Sequence, residues 1–208
     1  MTLTDHRYST CAAPACAKTP RPFSRYCRYH YSKIESTRSL TGKVIRKEAL
    51  TIWRQIAAEW LEEHAQHTAV IAAEEFLGRF LRDDGRAGFL RSEFNRLADN
   101  GATPRALLTS VLAMHLWQER AREHMDDRCF RLNLGRAVLG TVPAKRRTSR
   151  NGKTYTVRPR PGHAEALGKH IQENLGGFAL VAARAALNDV DPEPASTAIL
   201  RALQDEPL

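Results

Sequence analysis

Three cysteines and a histidine near the start of the chain constrain its fold more than any other feature. Cys11, Cys16, Cys27 and His30 form the pattern C-x4-C-x10-C-x2-H. Three thiolates and an imidazole are a common tetrahedral ligand set for structural Zn²⁺. The two close pairs are separated by a short loop, as a small fold organised around a metal requires. The pattern therefore predicts one structural zinc ion and a finger module over residues 1–40.

The two halves of this ligand set predict different local structures. Cys27 and His30 are three residues apart, so a helix that begins near Cys27 places both on one face. Pro14 lies between the first two cysteines, which favours a turn there. A zinc ion with four protein ligands has no open position for water, which indicates a structural and not a catalytic role.

Disulfide bonding is the main alternative for these cysteines. The N-terminal sequence MTLTDHRYST has no apolar signal segment. Three cysteines are also an odd set, and His30 stands where a fourth metal ligand belongs. Because disulfides are rare in reducing compartments, these features favour zinc and a cytoplasmic protein. The distant Cys129 is expected to be a small buried apolar residue.

The segment CAAPACAKTPRPFSRYCRYHYSK, which covers residues 11 to about 33, resembles the short treble-clef zinc finger of bacteriophage and mobile-element proteins. The resemblance consists of the four ligands, of Tyr26 before Cys27, and of Tyr31 after His30. Fingers of this kind include the N-terminal finger of many phage HNH endonucleases. The resemblance implies a zinc-stabilised finger, and it makes a zinc-stabilised HNH-like nuclease one functional alternative.

Positive charge is concentrated in two segments of the chain. The formal net charge is +9 over 208 residues. Residues 1–50 contain ten Lys or Arg against three acidic residues, and residues 141–162 contain seven Lys or Arg and no acidic residue. The rest of the chain is therefore mildly acidic. This clustering favours a polyanion as partner, and two solvated basic loops are the simpler alternative.

Basic and aromatic residues alternate within the finger. Cations bind phosphates, and aromatic rings can stack on bases or sugars. Some of the rings are expected to cover the metal site instead, and Phe23 and Tyr26 are the expected core members. The predicted nucleic-acid-binding residues of the finger are Arg21, Arg25, Arg28, Tyr29, Lys33 and Arg38.

Residues 143–161 predict a basic two-stranded β-ribbon. Asn151-Gly152 is a strong hairpin signal, and it predicts a type I′ turn with positive φ at both positions. β-branched residues flank this pair, and prolines bracket the segment. A two-stranded ribbon fits the major groove of duplex DNA. The predicted nucleic-acid-binding residues here are Lys145, Arg146, Arg147, Arg150, Lys153, Arg158 and Arg160.

Apolar residues spaced three and four apart predict a helical body over residues 41–208. The expected helices cover about residues 43–66, 68–82, 87–99, 103–125, 127–139 and 163–188, with a short final helix after an acidic linker. Gly176-Gly177 predicts a kink or a close helix–helix contact in the last long helix. The fold class is therefore mainly α, a helical bundle with an N-terminal zinc finger and a basic two-stranded β-ribbon.

Two further groups of side chains could bind metal but have simpler explanations. His64 and His67 fit the exposed polar end of a helix. The group Glu119, Glu123, His124, Asp126 and Asp127 fits a charged helix end. The chain has no P-loop and no serine-elbow motif. These observations favour a protein that is not an enzyme.

The combined interpretation is a non-catalytic nucleic-acid-binding protein. Duplex DNA is the expected partner, because a helix and a two-stranded ribbon both suit the major groove, and RNA is the alternative. A second interpretation, based on architecture alone, is a DNA-contacting helical subunit of a larger nucleoprotein complex, of the kind found in CRISPR effectors. No apolar run is long enough to span a bilayer, so no membrane partner is expected.

Overall fold

The structure is a computed structural model that describes residues 10–82, 88–121, 125–157 and 159–189. The described chain is mainly helical, as the apolar spacing predicted. The helices are α1 (Arg28–Thr37), α2 (Thr51–Glu63), α3 (Thr68–Leu81), α4 (Gly88–Asp99), α5 (Pro104–Arg120), α6 (Asp127–Leu139) and α7 (Pro161–Asp189). The strands are β1 (Lys145–Thr148) and β2 (Thr154–Val157). The predicted acidic linker continues into residues 190–208, which also hold the predicted final helix and lie outside the described residues.

Helix α5 lies at the centre of the body. The hydroxyl of Thr103 accepts a hydrogen bond from the backbone N–H of Ala106, and Pro104 occupies the first helical position, as predicted. Nearly every residue from 107 to 116 is buried. A helix that is buried on all sides belongs inside a bundle, and α2, α3, α6 and α7 pack around this one. The helix ends at Arg120, earlier than predicted.

One of the buried residues of α5 is a histidine. His115 is buried, with its ring edge-on to Phe130 at 5.1 Å between ring centres. Burial lowers the pKa of His115 to about 4, and the nearby charge of Glu119 opposes that shift only in part. His115 is therefore neutral near pH 7 and acts as a packing residue of the core.

Glycines in α6 and α7 bring the backbones of these two helices into contact. A Cβ atom on Gly135 would lie 1.9 Å from the carbonyl oxygen of Ala164. A Cβ atom on Gly168 would lie 1.8 Å from the carbonyl oxygen of Arg131. Because both obstacles are helix backbone, which cannot rotate away, only glycine fits at either position.

The close contact predicted at Gly176-Gly177 is wrong. A Cβ atom on Gly177 would meet nothing within 4 Å, and one on Gly176 would meet only the side chain of Gln172 in the same helix. Helix α7 also continues through both glycines. The close contact instead uses two glycines on different helices, Gly135 on α6 and Gly168 on α7.

Residues 42–46, before α2, form no helix, although the apolar spacing predicted a helix from about residue 43. A short 3-10 turn precedes α2, which begins at Thr51. The side-chain amide of Asn133 on α6 explains the difference. Its oxygen accepts from the N–H of Ile45 at 2.8 Å, and its nitrogen donates to the carbonyl of Lys43 at 2.9 Å. These bonds satisfy backbone groups of residues 43 and 45, so the segment does not depend on helical hydrogen bonds.

Strands β1 and β2 pair antiparallel in a two-stranded sheet. The paired residues are Lys145 and Val157, Arg146 and Thr156, Arg147 and Tyr155, and Thr148 and Thr154. The predicted type I′ turn is wrong, because Gly152 has a positive φ of 76° but Asn151 does not. The N–H of Gly152 donates to the carbonyl of Ser149, and the N–H of Ser149 donates to the carbonyl of Lys153. This is a three-residue loop that needs only one left-handed residue, its glycine.

The glycine contact predicts a position-specific effect on stability. Gly168→Ala should lower the free energy of unfolding by about 3 kcal/mol, because the new methyl group overlaps the backbone of α6. Gly177→Ala in the same helix is the matched control. It should raise the free energy of unfolding by about 0.5–1 kcal/mol, because alanine is the better helix former.

Urea unfolding followed by circular dichroism measures both changes. Equal effects of the two substitutions would contradict the backbone contact between α6 and α7.

Candidate metal centre and basic surfaces

The four predicted ligands converge on one point. Their ligand atoms all lie within 4.8 Å of one another. Cys11 Sγ and Cys27 Sγ lie 3.4 and 3.5 Å from His30 Nδ1, and Cys16 Sγ lies 4.0 Å from Cys27 Sγ. Zinc at about 2.3 Å from sulfur and about 2.05 Å from nitrogen gives a tetrahedron with S–N edges of about 3.6 Å and S–S edges of about 3.8 Å. The cluster could therefore hold one metal ion, and its spacing and donor set fit Zn²⁺.

Local structure places the ligands in two pairs, as the sequence predicted. The N–H of Cys16 donates to the carbonyl of Ala13 at 3.2 Å, which closes a turn between the first two ligands. Ala15 in this turn has a φ of 55°. Cys27 is the extended residue before α1, so His30 lies in the first turn of that helix.

The surroundings shift the pKa values of two cluster thiols in opposite directions. Burial raises the pKa of the Cys11 thiol, but hydrogen bonds, first of all from the backbone of Cys27 and also from His30, lower it to about 6. A backbone hydrogen bond lowers the pKa of Cys16, but burial and the thiols of Cys11 and Cys27 outweigh it and raise that pKa. A bound divalent cation would stabilise all three thiolates together, since ligand thiols ionise on a metal.

Two finger arginines lie against aromatic rings. The guanidinium carbon of Arg21 lies 4.2 Å from the centre of the Tyr31 ring, and that of Arg25 lies 5.1 Å from the centre of the Tyr26 ring. Both arginines are exposed. Cation–π contacts of this kind restrict a long side chain while leaving its charge in solvent.

The other predicted residues of α1 also lie at or near the surface. Arg28 is exposed and Lys33 is half-buried. Tyr29 is 62% exposed, with its ring edge-on to the ring of His30. Tyr29 also lines an open groove beside the metal ligands, together with residues 14–18. The ring of Tyr29, next to the metal cluster, is thus accessible to a partner.

Arg38 lies at the junction between the finger and the body. Its Nε atom is 2.9 Å from a carboxylate oxygen of Glu165 in the first turns of α7, and Arg128 contacts the same carboxylate. Arg136 near the end of α6 donates to the carbonyl of Ser36 at 3.2 Å. The end of α1 is therefore held between the end of α6 and the start of α7.

The hairpin cations whose side chains the structure describes are exposed to solvent. Arg146, Arg150, Lys153 and Arg160 are exposed, and Tyr155 is 51% exposed. Two further predicted residues, Lys145 and Arg147, belong to β1, and Arg158 lies outside the described residues.

Phe23 was expected in the finger core, and this expectation is wrong. Its side chain is 79% exposed, whereas Tyr26 packs against the small core of Cys11, Ala13 and Cys27 as expected. The buried part of that core is small and consists of two predicted metal ligands and one alanine. The signal that could have identified Phe23 as a displayed residue is the preceding Pro22, which favours a turn.

His64 and His67 have separate structural roles. His64 donates from Nδ1 to the carbonyl of Trp60 at 2.9 Å, and its ring stacks on that of Trp60. His67 caps α3 by accepting a hydrogen bond from the N–H of Ala69. Over the described ranges, only the Cys11 cluster brings three or more His, Cys, Asp or Glu side chains together as metal ligands.

The acidic group near the end of α5 is likewise dispersed. Asp126 caps α6 through the N–H of Cys129, Asp127 lies 3.5 Å from Arg131, and Glu119 pairs with Arg184. The predicted members Glu123 and His124 lie outside the described residues.

No family model, curated protein or solved structure matches the chain. The likeness to a treble-clef finger therefore remains a prediction from residues 11–33. None of the helices in the described part of the chain has both the length and the apolar character that crossing a bilayer needs.

The geometry of the cluster predicts how zinc should respond to cysteine substitution. Cys27→Ser should reduce bound zinc from one equivalent per chain to near zero and unfold residues 11–38, because one ligand of a four-ligand site is lost. Most of the helical signal should remain, since the body has a separate core.

Cys129→Ser is the matched control, because Cys129 is also buried but lies outside the cluster. It should keep one zinc per chain. Zinc content by plasma mass spectrometry and helix content by circular dichroism measure the two effects. A Cys27→Ser protein that retained zinc would contradict the proposed ligand set.

Proposed function

We propose that this protein binds nucleic acid, with duplex DNA as the preferred partner, and that it acts without catalysis through a zinc-stabilised finger and a basic β-ribbon. The observation that carries the proposal is that both basic segments join the body at the same place. The proposed zinc ion is structural, because four protein ligands leave no open coordination position.

The common attachment point follows from contacts at the ends of α6 and α7. The finger helix ends against Arg136, near the end of α6, and Glu165, near the start of α7. The hairpin connects Leu139, the last residue of α6, to Pro161, the first residue of α7. Two segments with a strong positive charge therefore leave the helical body side by side, which supports a single continuous surface for a polyanion.

Repulsion between the like charges of the hairpin segment also supports the proposal. The segment 141–162 holds seven Lys or Arg and no acidic residue, and those of its cations that lie in the described residues are exposed or on β1. Like charges this close repel one another, and phosphates relieve that repulsion. Tyr29 and Tyr155 add exposed rings to the two segments, and such rings can stack on bases or sugars.

Zinc has a specific part in this proposal. The apolar core of the finger consists of three small buried residues with Cys16, Tyr26 and Leu40 packed against it. A core of this size does not stabilise a fold in water, so the metal must supply the stability. Metal binding would thereby fix the arginines of the finger relative to the hairpin.

The proposal predicts a defined salt dependence. Replacing Arg146, Arg147, Arg150 and Lys153 with Ala should weaken binding to a short duplex. If all four contact phosphates, the slope of log K against log salt should fall by about 3–4, at about 0.9 per contact. Fluorescence anisotropy at several salt concentrations measures both quantities.

The matched control removes four exposed cations from the helical body, Arg79, Arg120, Lys169 and Arg184. This variant has the same net charge but should keep nearly the wild-type slope. Equal slopes for the two variants would mean that the hairpin makes no specific phosphate contacts. If the hairpin variant instead keeps its DNA affinity and loses an acidic protein partner, the segment binds protein and not nucleic acid.

A further inference from the structure

A tight turn in the finger displays Phe23. The N–H of Ser24 donates to the carbonyl of Arg21 at 3.1 Å, so residues 21–24 form a β-turn with Pro22 at its second position. Phe23 occupies the third position with a φ of 60°. Glycine or asparagine normally fills a turn position with positive φ, because a side chain there is strained.

The strain at Phe23 is not offset by packing. Its side chain is 79% exposed, the largest exposed fraction among the large hydrophobic residues that the structure describes. A solvent-exposed ring in an unfavourable backbone conformation contributes nothing to the finger core. Strained residues of this kind cluster at functional sites, where the surrounding structure holds them in place.

Two cations flank the displayed ring. Arg21 and Arg25 lie two residues before and after Phe23, and both are exposed. Their guanidinium groups are held over the rings of Tyr31 and Tyr26. In the sequence the ring thus lies between two cations, a pattern that matches a ligand with an apolar face between negative charges, which describes a nucleobase between its backbone phosphates.

We propose that Phe23 stacks on a nucleobase, while Arg21 and Arg25 bind the neighbouring phosphates. This inference rests on the proposed function and adds a base contact to it. The base could come from a step of duplex that the ring opens as a wedge, or from a strand that is already unpaired. In both cases the Phe23 ring covers the flat face of a base. A pocket on a partner protein would also accept the ring, but it would need an acidic rim to pair with the two flanking cations.

The turn offers a variant that separates stacking from stability. Phe23→Gly removes the ring and relieves the positive φ, so the finger should bind zinc at least as tightly as the wild type. The same variant should lose about tenfold or more in nucleic-acid affinity if the ring stacks on a base. Phe23→Tyr keeps an aromatic ring at the same position and should retain most of the affinity.

Two nucleic-acid probes of the same sequence separate the sources of the base. One is a short duplex and the other its single strand, both containing 2-aminopurine, whose fluorescence rises when it is unstacked from its neighbours. A wedge predicts that wild-type protein raises the fluorescence of the duplex and that Phe23→Gly does not. An unpaired base predicts that the affinity loss in Phe23→Gly is confined to the single strand.

The inference is overturned if Phe23→Gly binds both probes as tightly as the wild type. In that case the proposed function still stands if the hairpin variant loses affinity and salt slope. If wild-type protein binds neither probe, the proposed function itself fails. A Phe23→Gly protein that loses zinc would show that the ring supports the finger, which also contradicts the inference.

Discussion

The backbone contact between α6 and α7 determines where both basic segments of this protein lie. Gly135 and Gly168 allow the two helices to approach until no side chain fits between them. The hairpin connects these two helices, and the finger helix is held by Arg136 on one and Glu165 on the other. A larger residue at either glycine would therefore disturb the core and the common base of the two segments together.

The metal cluster organises the finger at a second, local level. Cys16 and Cys27 bound to one ion would fix both ends of the loop between them. A short loop held at both ends can keep a strained residue such as Phe23 in place, because relaxing one turn would displace a ligand. The finger and the body have separate cores, so a bound metal would affect the body through the two contacts of α1, Arg136 with Ser36 and Arg38 with Glu165.

Local patterns in the sequence predicted most of the helices and the four-ligand cluster. Helix α6 was predicted with its observed ends from its apolar residues, and the structure adds that Asp126 caps its N-terminus. The cluster was predicted because ligand type and spacing are themselves local. Both successes depend on interactions between residues that are near one another in the chain.

Two of the incorrect predictions concern interactions between residues that are distant in the sequence. The α-helix predicted from residue 43 begins only at Thr51 because Asn133, distant in sequence, binds the backbone of residues 43 and 45. The glycine contact joins two helices separated by the hairpin, so no single stretch of sequence reveals it. Phe23 was expected in the finger core because so small a module has few other apolar residues. It is instead exposed on the turn of residues 21–24.

The central claim is that the finger and the hairpin bind one nucleic-acid molecule together. Photo-crosslinking to a short duplex tests it directly, with a benzophenone amino acid in place of Tyr29, of Tyr155, or of Val181. Val181 is at least as exposed as the two tyrosines but lies about 30 Å along α7 from its start, at 1.5 Å per residue. We expect zinc-loaded protein to crosslink to the duplex from positions 29 and 155 and not from 181. Crosslinking from only one of the first two positions, or equally from all three, would contradict it.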